Sequence, residues 1–217
     1  MLNWRTIDTV LLDMDGTLLD LHYDNHFWLA HVPQRYAEKH CLPFDAAREV
    51  LLSRYARVAG TMQWYCVDYW TRELGLDIAR LKREVAHLIA VHPHVELFLG
   101  RVRAQGKRVV LVTNAHHASL SLKLERTGLD RFFDAIVCAH ECGLPKEHPG
   151  FWPWLAAREP FTAGRTLLID DSLPVLRAAR AYGIQHLLAV ARPDSQAPAR
   201  DGEEFPLLRS FADILPA

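Results

Sequence analysis

The feature that most constrains the fold is a short apolar run that ends in two carboxylates. Residues 7–12 are apolar enough to predict a buried strand, and Asp13 and Asp15 follow directly. Gly16 then allows the backbone to turn sharply or to approach a bound group closely. Two neighbouring carboxylates repel each other, so we expect a cation between them. Mg²⁺ is the natural candidate because it takes oxygen ligands and usually also holds a phosphate oxygen.

From about residue 94 onwards, the chain alternates between helical and strand-like patterns. Buried strands are predicted at 108–112, 135–138, 166–169 and 186–190, with helices at 118–127 and 147–158 and from 172 to Tyr182. Such alternation indicates βαβ units, and hence an α/β fold with a Rossmann-like parallel sheet. Residues 192–206 are rich in Pro, Asp and Glu, which predicts a solvated loop before a short terminal helix.

Between the first strand and this alternating region the pattern is helical. Apolar residues recur at three- and four-residue spacings over 25–40, 44–60, 62–74 and 77–91. A chain of 217 residues can form one sizeable core plus a small inserted domain. We therefore expect an α/β core from residues 1–20 and 92–217, and a helical domain from residues 21–91.

Polar residues recur where the predicted strands end. Thr113 and Asn114 follow the second strand, Lys146 lies in the loop after the third, and Asp170 and Asp171 follow the fourth. In an open parallel sheet, ligands bind beyond the carboxyl ends of the strands. Each group also has a simple structural explanation: Thr113-Asn114 and the aspartate pair could cap helices, and Lys146 could be a surface lysine. Together, in this order, they favour a site.

These three groups, together with the string Asp-x-Asp-Gly-Thr-Leu at 13–18, closely resemble the four ordered motifs of the haloacid dehalogenase-like hydrolases. Most members of that family are Mg²⁺-dependent phosphatases. The resemblance spans nearly the whole chain and implies a HAD-like core with an inserted type 1 cap, which would be residues 21–91. Such caps close over the site, exclude water and select the leaving group.

The resemblance also implies a role for each residue. Asp13 would be the nucleophile that forms an aspartyl-phosphate, and Asp15 the acid and base for the leaving alcohol and the attacking water. Mg²⁺ would be held by the carboxylates of Asp13 and Asp171 and by the backbone carbonyl of Asp15. Asp170 would lie next to these ligands without contacting the metal, although which of Asp170 and Asp171 is the direct ligand is left open. The phosphoryl oxygens would be bound by Thr113, Asn114 and Lys146.

Further strings narrow the resemblance to the bacterial GMP/IMP nucleotidase subgroup. They are 25–28 (NHFW), 64–70 (WYCVDYW), 113–116 (TNAH), 123–130 (KLERTGLD) and 168–172 (LIDDS). The implied substrate is a purine nucleoside 5′-monophosphate, with IMP and GMP ahead of AMP. One departure is that Glu-His-Pro follows Lys146 where the family commonly has Pro, which we expect to change only the start of the next helix.

Residues that could contact the substrate lie in and beside the helical region. The stretch 63–70 is unusually aromatic, and its rings could either pack the domain's own core or stack on a base. The substrate-contacting residues on the second interpretation are Asp20, Asn25, Trp64, Tyr65 and Asp68. His22 and Asp24 lie at the entrance to the same region, whereas His116 and His117 could equally begin an ordinary helix.

Other reactions of the same fold can be sorted by residue. Dehalogenases lack the second aspartate of the first motif, so Asp15 argues against them. Phosphonatases need a lysine in the cap, and Lys39 and Lys82 lie in no obvious setting for one. A phosphatase of a sugar phosphate or of phosphoglycolate is the main alternative. A non-catalytic binding module would be signalled by loss of Asp13, Lys146 or the aspartate pair, and none is lost.

Composition bounds the partners. The formal net charge of −1 gives no general attraction to nucleic acid or to anionic membranes, and no apolar run approaches a membrane span. The four cysteines fit no disulfide scaffold, so we expect free thiols and a cytoplasmic location. Cys138, His140 and Cys142 are close in sequence, but their spacing does not match a standard zinc motif. The oligomeric state is left open.

Overall fold

The computed structural model describes residues 2–202 and 204–216, and its centre is one parallel β-sheet. Six strands pair in the order β3-β2-β1-β4-β5-β6, and every neighbouring pair is parallel. Their bounds are β1 Thr9–Leu12, β2 Arg108–Thr113, β3 Ala135–Cys138, β4 Thr166–Asp170, β5 His186–Val190 and β6 Leu207–Leu208. The α/β fold with a Rossmann-like parallel sheet is confirmed.

Helices connect the strands and fill the segment between β1 and β2. Within the described residues, seven α-helices lie between β1 and β2: α1 His22–His26, α2 Val32–His40, α3 Phe44–Val58, α4 Met62–Tyr65, α5 Val67–Leu74, α6 Ile78–Glu84 and α7 Val95–Ala104. In the part of the chain described after β2, three more follow: α8 His117–Thr127, α9 Phe151–Arg158 and α10 Leu173–Tyr182. Short 3₁₀ turns occur at Trp4–Thr6, Ala86–Leu88, Leu129–Phe132, Ala139–Glu141, Ala163–Arg165 and Phe211–Ile214.

Both faces of the sheet are covered, which explains why its strands are continuous apolar runs. Along β1, Val10 and Leu12 pack into the cluster that α7 and α8 cover, whereas Leu11 packs into the cluster under α9 and α10. Parallel strands buried on both faces have this composition because no face is left for polar side chains.

The sheet order determines where a ligand can bind. From β1 the chain winds outward through β2 to β3, then returns to the other side of β1 for β4, β5 and β6. The connections therefore diverge beyond the carboxyl ends of β1 and β4, and a crevice is left there. Leu12 pairs with both Leu111 and Ile169, so the residues that follow these three emerge side by side.

Helices α1–α6 form a hydrophobic core of their own, separate from the two sheet clusters. Its largest buried members include Tyr23, Phe27 and Trp70. We call residues 21–91 the helical insertion. The helix predicted over 25–40 is a longer rod interrupted by a π-helical turn at Phe27–His31. Pro33 explains this turn, because its ring has no N–H and would clash with the carbonyl four residues earlier.

The helix predicted over 62–74 is broken at Cys66. Its backbone is extended (φ −88°, ψ 111°), and its Sγ accepts a hydrogen bond from the Tyr69 N–H at 3.4 Å. Cys66 therefore ends α4 and serves as the N-cap of α5. Trp64 and Trp70 nevertheless stay in contact across the break. Trp70 Nε1–H donates to the Trp64 carbonyl at 2.9 Å, and both rings pack against Trp28 and Tyr55.

Three further predictions need correction. The helix predicted from residue 147 begins only at Phe151, because Pro149 disfavours helical backbone at the residue before it. Strand β6 was missed, since two residues are too few to give a pattern. The predicted solvated loop is exposed over 195–199, but Pro193 and Asp194 are buried. The N–H of Leu21 donates to the Pro193 carbonyl at 2.8 Å, which ties this loop to the helical insertion.

Candidate active site

A buried lysine lies between two carboxylates at the centre of the crevice. Lys146 Nζ donates to Asp13 Oδ1 at 2.6 Å, to Asp170 Oδ2 at 2.7 Å and to the Val112 carbonyl at 3.1 Å. Lys146 is only 2% exposed, so it is not a surface lysine. Three different strand ends therefore converge on one ammonium group, as expected from the register of the sheet.

The third carboxylate at this point, Asp171, is paired less fully. Its Oδ2 lies 3.7 Å from the Arg200 guanidinium, and Arg200 also donates to the Asp171 backbone carbonyl. Asp170, in contrast, accepts from both Lys146 and the Ser172 N–H. Burial, together with the charges of Asp13 and Asp170, raises the pKa of Asp171 well above its usual value.

The carboxylates of Asp13, Asp170 and Asp171 fit a divalent cation. One oxygen from each lies within 4.8 Å of the others. Burial also raises the pKa of Asp13, to about 6, although Lys146 opposes that rise. One lysine and one distant arginine leave negative charge uncompensated here, and oxygen donors are those that Mg²⁺ prefers. Asp171, which has the weakest pairing, is the member most available to a metal.

Gly16 allows the first loop to pack against Asp171. Its φ is +82°, and a Cβ at this position would lie 2.8 Å from both Cγ and Oδ2 of Asp171. Any side chain would therefore strain the backbone and also displace the carboxylate. Gly16 is thus required for the close approach of the loop after β1 to the loop after β4.

A hydrogen-bond chain runs from the β2 end to the helical insertion. Asn114 Oδ1 accepts from the Lys146 N–H at 2.9 Å, and its Nδ2 donates to Glu147 Oε2 at 3.0 Å. Tyr65, from the insertion, donates its hydroxyl to Glu147 Oε1 at 2.9 Å. Thr113 is buried beside this chain, and its hydroxyl accepts from the Ala115 N–H at 3.0 Å. The N-cap of α8 is His116, not Thr113 or Asn114.

A second buried charge network holds Asp15. Lys123 Nζ donates to Asp15 Oδ1 and to Asp24 Oδ2, each at 2.6 Å, and Lys82 Nζ donates to Asp24 Oδ1 at 3.0 Å. Burial raises the pKa of Asp15 to about 6, against the opposing effect of Lys123. For Asp24 the two lysines outweigh burial and lower the pKa to about 2. Lys82 also lies over the Phe27 ring, 4.4 Å from its centroid.

Two cavities meet at Asp15. The carboxylate cavity, of about 230 Å³, is lined by residues that follow the strands, among them Asp13, Asp15, Thr113, Lys146 and Asp171, and by Tyr65 from the helical insertion. The insertion cavity, of about 310 Å³, lies between the helical insertion and α8. It is mostly apolar, and its lining includes Asp15, Asn25, Trp28, Trp64, Tyr65 and Ser119. Asp15, Leu21, Tyr65 and Ala115 line both cavities and so mark the junction, and Asp15 is the one among them with a carboxyl group.

Some of the substrate-contacting residues suggested by sequence line the insertion cavity, and others do not. Asn25, Trp64 and Tyr65 line the insertion cavity. Asp20 and Asp68, although both lie in the described part of the chain, are not among its lining residues. Asp20 accepts from the backbone N–H groups of His22 and Ser195, which stabilises a turn. The Asp68 side chain is 69% exposed and lies 3.7 Å from His116.

Four residues of the site were missed by sequence reasoning: Trp28, Lys82, Lys123 and Glu147. A signal did exist for the two lysines. Lys123 lies three residues after buried Leu120, and Lys82 four residues after buried Ile78, so each occupies the apolar face of its helix. A lysine at such a position is almost never fully buried unless it is paired.

Fold and site together define the class of protein. A doubly wound parallel sheet carries an acidic strand-end crevice and a buried lysine, and a helical segment is inserted after the first strand. A model of the family "haloacid dehalogenase-like hydrolase" matches residues 7–201. The chain belongs to this hydrolase family.

Two groups of relatives are similar over most of the chain. The GMP/IMP nucleotidase YrfG of Escherichia coli is 40% identical over 214 residues, which cover 99% of this chain and 96% of the relative. The phosphoglycolate phosphatase of Cereibacter sphaeroides is 29% identical over 189 residues, covering 82% of this chain and 83% of its own.

Solved structures agree on the fold. A HAD phosphatase from Thermococcus onnurineus superposes with a TM-score of 0.81 at 23% identity, covering 95% of each chain. The L-2-haloacid dehalogenase from Xanthobacter autotrophicus gives a TM-score of 0.64 at 17% identity, with 95% of this chain and 96% of the other covered. Phosphatases and dehalogenases therefore share this architecture, and the fold alone does not choose between them.

All four cysteines are free. Across residues 2–202 and 204–216, no helix has the length and apolar character needed to cross a membrane.

Proposed function

We propose that the protein is a Mg²⁺-dependent phosphomonoester hydrolase and that its preferred substrates are purine nucleoside 5′-monophosphates. The observation that carries the proposal is the position of Asp15 between the two cavities. A carboxyl group there reaches the phosphoryl group on one side and the leaving group on the other. A dehalogenase needs no proton donor at this position, whereas a phosphatase does.

In the proposed reaction, a carboxylate oxygen of Asp13 attacks phosphorus and forms an aspartyl-phosphate. The bond from phosphorus to the leaving oxygen breaks, and Asp15 gives that oxygen a proton. A water then transfers a proton to Asp15 and attacks the same phosphorus, which releases inorganic phosphate and restores the Asp13 carboxylate. Splitting the hydrolysis in this way replaces one difficult step by two easier ones.

The remaining residues bind and orient. Lys146 offsets the charge of Asp13 and Asp170, and with Thr113 and Asn114 it would bind phosphoryl oxygens. Asp13, the Asp15 carbonyl and Asp171 would hold Mg²⁺, with Asp170 positioning Lys146. When bound, the metal neutralises charge on the phosphoryl group and orients it. Lys123 keeps the Asp15 carboxyl directed at the junction of the two cavities.

The substrate class is supported by the insertion cavity and by the nucleotidase relative. A volume of about 310 Å³ is at the lower end of the range for small-molecule sites. The rings of Trp28 and Trp64, whose centroids are 6.0 Å apart, form one apolar wall. Asn25 and Ser119 are polar residues on the lining. Asn25 Nδ2 donates to Asp194 at 2.7 Å, so its Oδ1, with the Ser119 hydroxyl, would meet the edge of a base. The helical insertion would act as the cap that closes over the substrate.

The first experiment tests the chemistry. Activity should vanish in excess chelator and return with Mg²⁺. Asp13→Asn should abolish turnover and phosphoenzyme formation together. Asp15→Asn should slow alkyl phosphates far more than an activated aryl phosphate, because only the alkyl leaving group needs a proton. Full turnover in chelator, or equal losses on both esters with metal still bound, would contradict these roles.

The second experiment tests the substrate. We expect kcat/KM to fall in the order IMP and GMP, then AMP, then UMP and a sugar phosphate. Trp64→Leu should reduce kcat/KM for IMP by about 5- to 150-fold, since stacking on a base is worth roughly 1–3 kcal/mol. It should leave a small aryl phosphate nearly unchanged, and Trp154→Leu in α9 is the control.

Phosphoglycolate or a sugar phosphate is the alternative, supported by the second group of relatives. A preference for either over IMP would reject the proposal of a nucleotide substrate, but the proposed phosphatase activity would stand. A cytoplasmic location is part of the proposal, consistent with four free thiols.

A further inference from the structure

One cysteine and two histidines meet at the boundary between the helical insertion and the sheet domain. Cys66 comes from the break between α4 and α5, His116 from the N-cap of α8, and His140 from the turn after β3. Their Sγ and one nitrogen of each imidazole lie within 4.8 Å of one another. The proposed phosphatase chemistry uses none of these groups.

The surroundings of His140 indicate a ligand. Its Nε2 is buried and has no hydrogen-bond partner among the described residues. The His140 and His116 rings pack edge to face with their centroids 5.0 Å apart. Burial lowers the pKa of both His140 and His116. A neutral imidazole with an unpaired, buried nitrogen is the form of histidine that binds a metal.

We propose that Cys66, His116 and His140 form a site for Zn²⁺ or a similar transition metal. A thiolate and two imidazoles are donors that suit Zn²⁺ and not Mg²⁺. Asp68, which is exposed and lies 3.7 Å from His116 Nε2 but outside the cluster of three, would have to turn towards the metal to supply a fourth, carboxylate ligand. From the bond lengths of tetrahedral zinc, bound ligand atoms lie roughly 3.3–3.6 Å apart. The three side chains must therefore close in by at most about 1.5 Å.

Two local rearrangements follow. The Sγ of Cys66 already accepts from the Tyr69 N–H, which orients it at the N-terminus of α5, where negative charge is favourable. Binding through His116 Nε2 requires the tautomer with a proton on Nδ1. That tautomer gives up the 3.3 Å hydrogen bond from the Ala118 N–H. The metal bond replaces a weak cap interaction.

The site would link two parts of the fold. Cys66 and Asp68 belong to the helical insertion, whereas His116 and His140 belong to the sheet domain. His116 and the neighbour of Cys66, Tyr65, both line the insertion cavity. A bound metal would fix the insertion against the sheet domain beside that cavity. Entry of substrate and release of product need movement there, so the metal should inhibit turnover.

Metal binding is measured directly, and so independently of the proposed function. The full-length protein, freed of metal and reduced with a phosphine that does not bind zinc, is titrated with Co²⁺ in the presence of saturating Mg²⁺. We expect one equivalent to give a thiolate-to-cobalt charge-transfer absorption, and Zn²⁺ to displace it. Cys66→Ser should abolish this absorption and raise the Zn²⁺ dissociation constant by at least about tenfold.

Two further variants complete the binding test. His140→Ala should weaken Zn²⁺ binding similarly, and it carries the test if Cys66→Ser fails to fold. Cys142→Ser is the matched control. Cys142 follows the turn that carries His140, but its thiol donates to the Ala139 carbonyl at 3.3 Å and it is not a member of the proposed site. The proposal is overturned if no charge-transfer band appears, or if Cys142→Ser removes the band and Cys66→Ser does not.

Inhibition is then measured with saturating Mg²⁺ and the best substrate. Zn²⁺ should inhibit the unmodified protein, and Cys66→Ser should need at least about tenfold more Zn²⁺ for the same loss. If Zn²⁺ instead replaces Mg²⁺ among Asp13, Asp170 and Asp171, Cys66→Ser will be inhibited as strongly as the unmodified protein. That result would reject the proposal that a metal bound at Cys66 inhibits turnover. Absence of any phosphatase activity would reject the proposed function and leave the binding result unaffected.

Discussion

Replacing Lys123 by Met is the sharpest test of the network behind Asp15. Lys123 is 1% exposed and makes two ion pairs at 2.6 Å, with Asp15 and Asp24. Together with Lys82 they form a network of two lysines and two aspartates, whose charges balance. The substitution keeps the length and apolar character of the side chain but leaves one buried carboxylate without a partner.

The expected loss follows from that count. Removing one partner of a buried ion pair costs about 3–5 kcal/mol, because the other charge stays buried and unpaired. For a chain of this size, 1 kcal/mol shifts the thermal midpoint by roughly 2–4 °C, so we expect a fall of about 6–20 °C. Turnover of alkyl phosphates should also fall by at least about tenfold, since Asp15 loses the group that orients it.

Thermal and urea unfolding of three variants gives the answer. Arg131→Met removes an ion pair of equal length, 2.6 Å to Glu96, whose side chains are 57% and 52% exposed. It should cost no more than about 1 kcal/mol. The double variant Lys123→Met/Asp24→Asn restores charge balance and should regain at least about 1 kcal/mol over Lys123→Met. The reasoning fails if Lys123→Met costs no more than Arg131→Met, or if the double variant is no more stable than Lys123→Met.

Three further predictions follow from single contacts. Because the ion pairs lower the pKa of Asp24 from 3.8 to about 2, its ionised form stabilises the fold above pH 4, and this contribution is lost as pH falls towards 2. Acid unfolding of Asp24→Asn should therefore lack about 2 kcal/mol of the pH dependence seen in the unmodified protein over that interval. Gly16→Ala should weaken Mg²⁺ binding, measured by isothermal titration, because its Cβ would meet Asp171 at 2.8 Å; unchanged affinity would refute the close approach. Tyr65→Phe should lower kcat/KM by about tenfold or less through loss of its bond to Glu147, and an increase would refute that role.

The strands and the order of the site residues could be predicted because both are local in sequence. Apolar runs at 108–112 and 166–169 indicate buried strands wherever those strands lie in the sheet. Parallel strands then bring their carboxyl ends to one edge, so Asp13, Thr113 and Asp170 had to come close together. No knowledge of the packing was needed for these inferences.

Breaks within elements were less accessible. Pro33 signals a disturbed helix, but not whether the helix ends or widens into a π-helical turn, and an extended Cys66 inside an aromatic helix has no sequence signal. A strand of two residues carries no periodicity at all. The aromatic stretch illustrates the limit: Trp70 is buried in the insertion's own core, whereas Trp64 packs against that core and also lines a cavity.

What the sequence by itself determined is therefore the parallel sheet, the helical insertion after the first strand, and the acidic crevice with its lysine. Only the tertiary structure decided the partners of those groups. Lys123 lies 108 residues from Asp15 in sequence, and Lys146 lies 133 residues from Asp13. Pairing over such separations is set by burial: a charge enclosed by the folded chain must find an opposite charge, and only the packing determines which one is within reach.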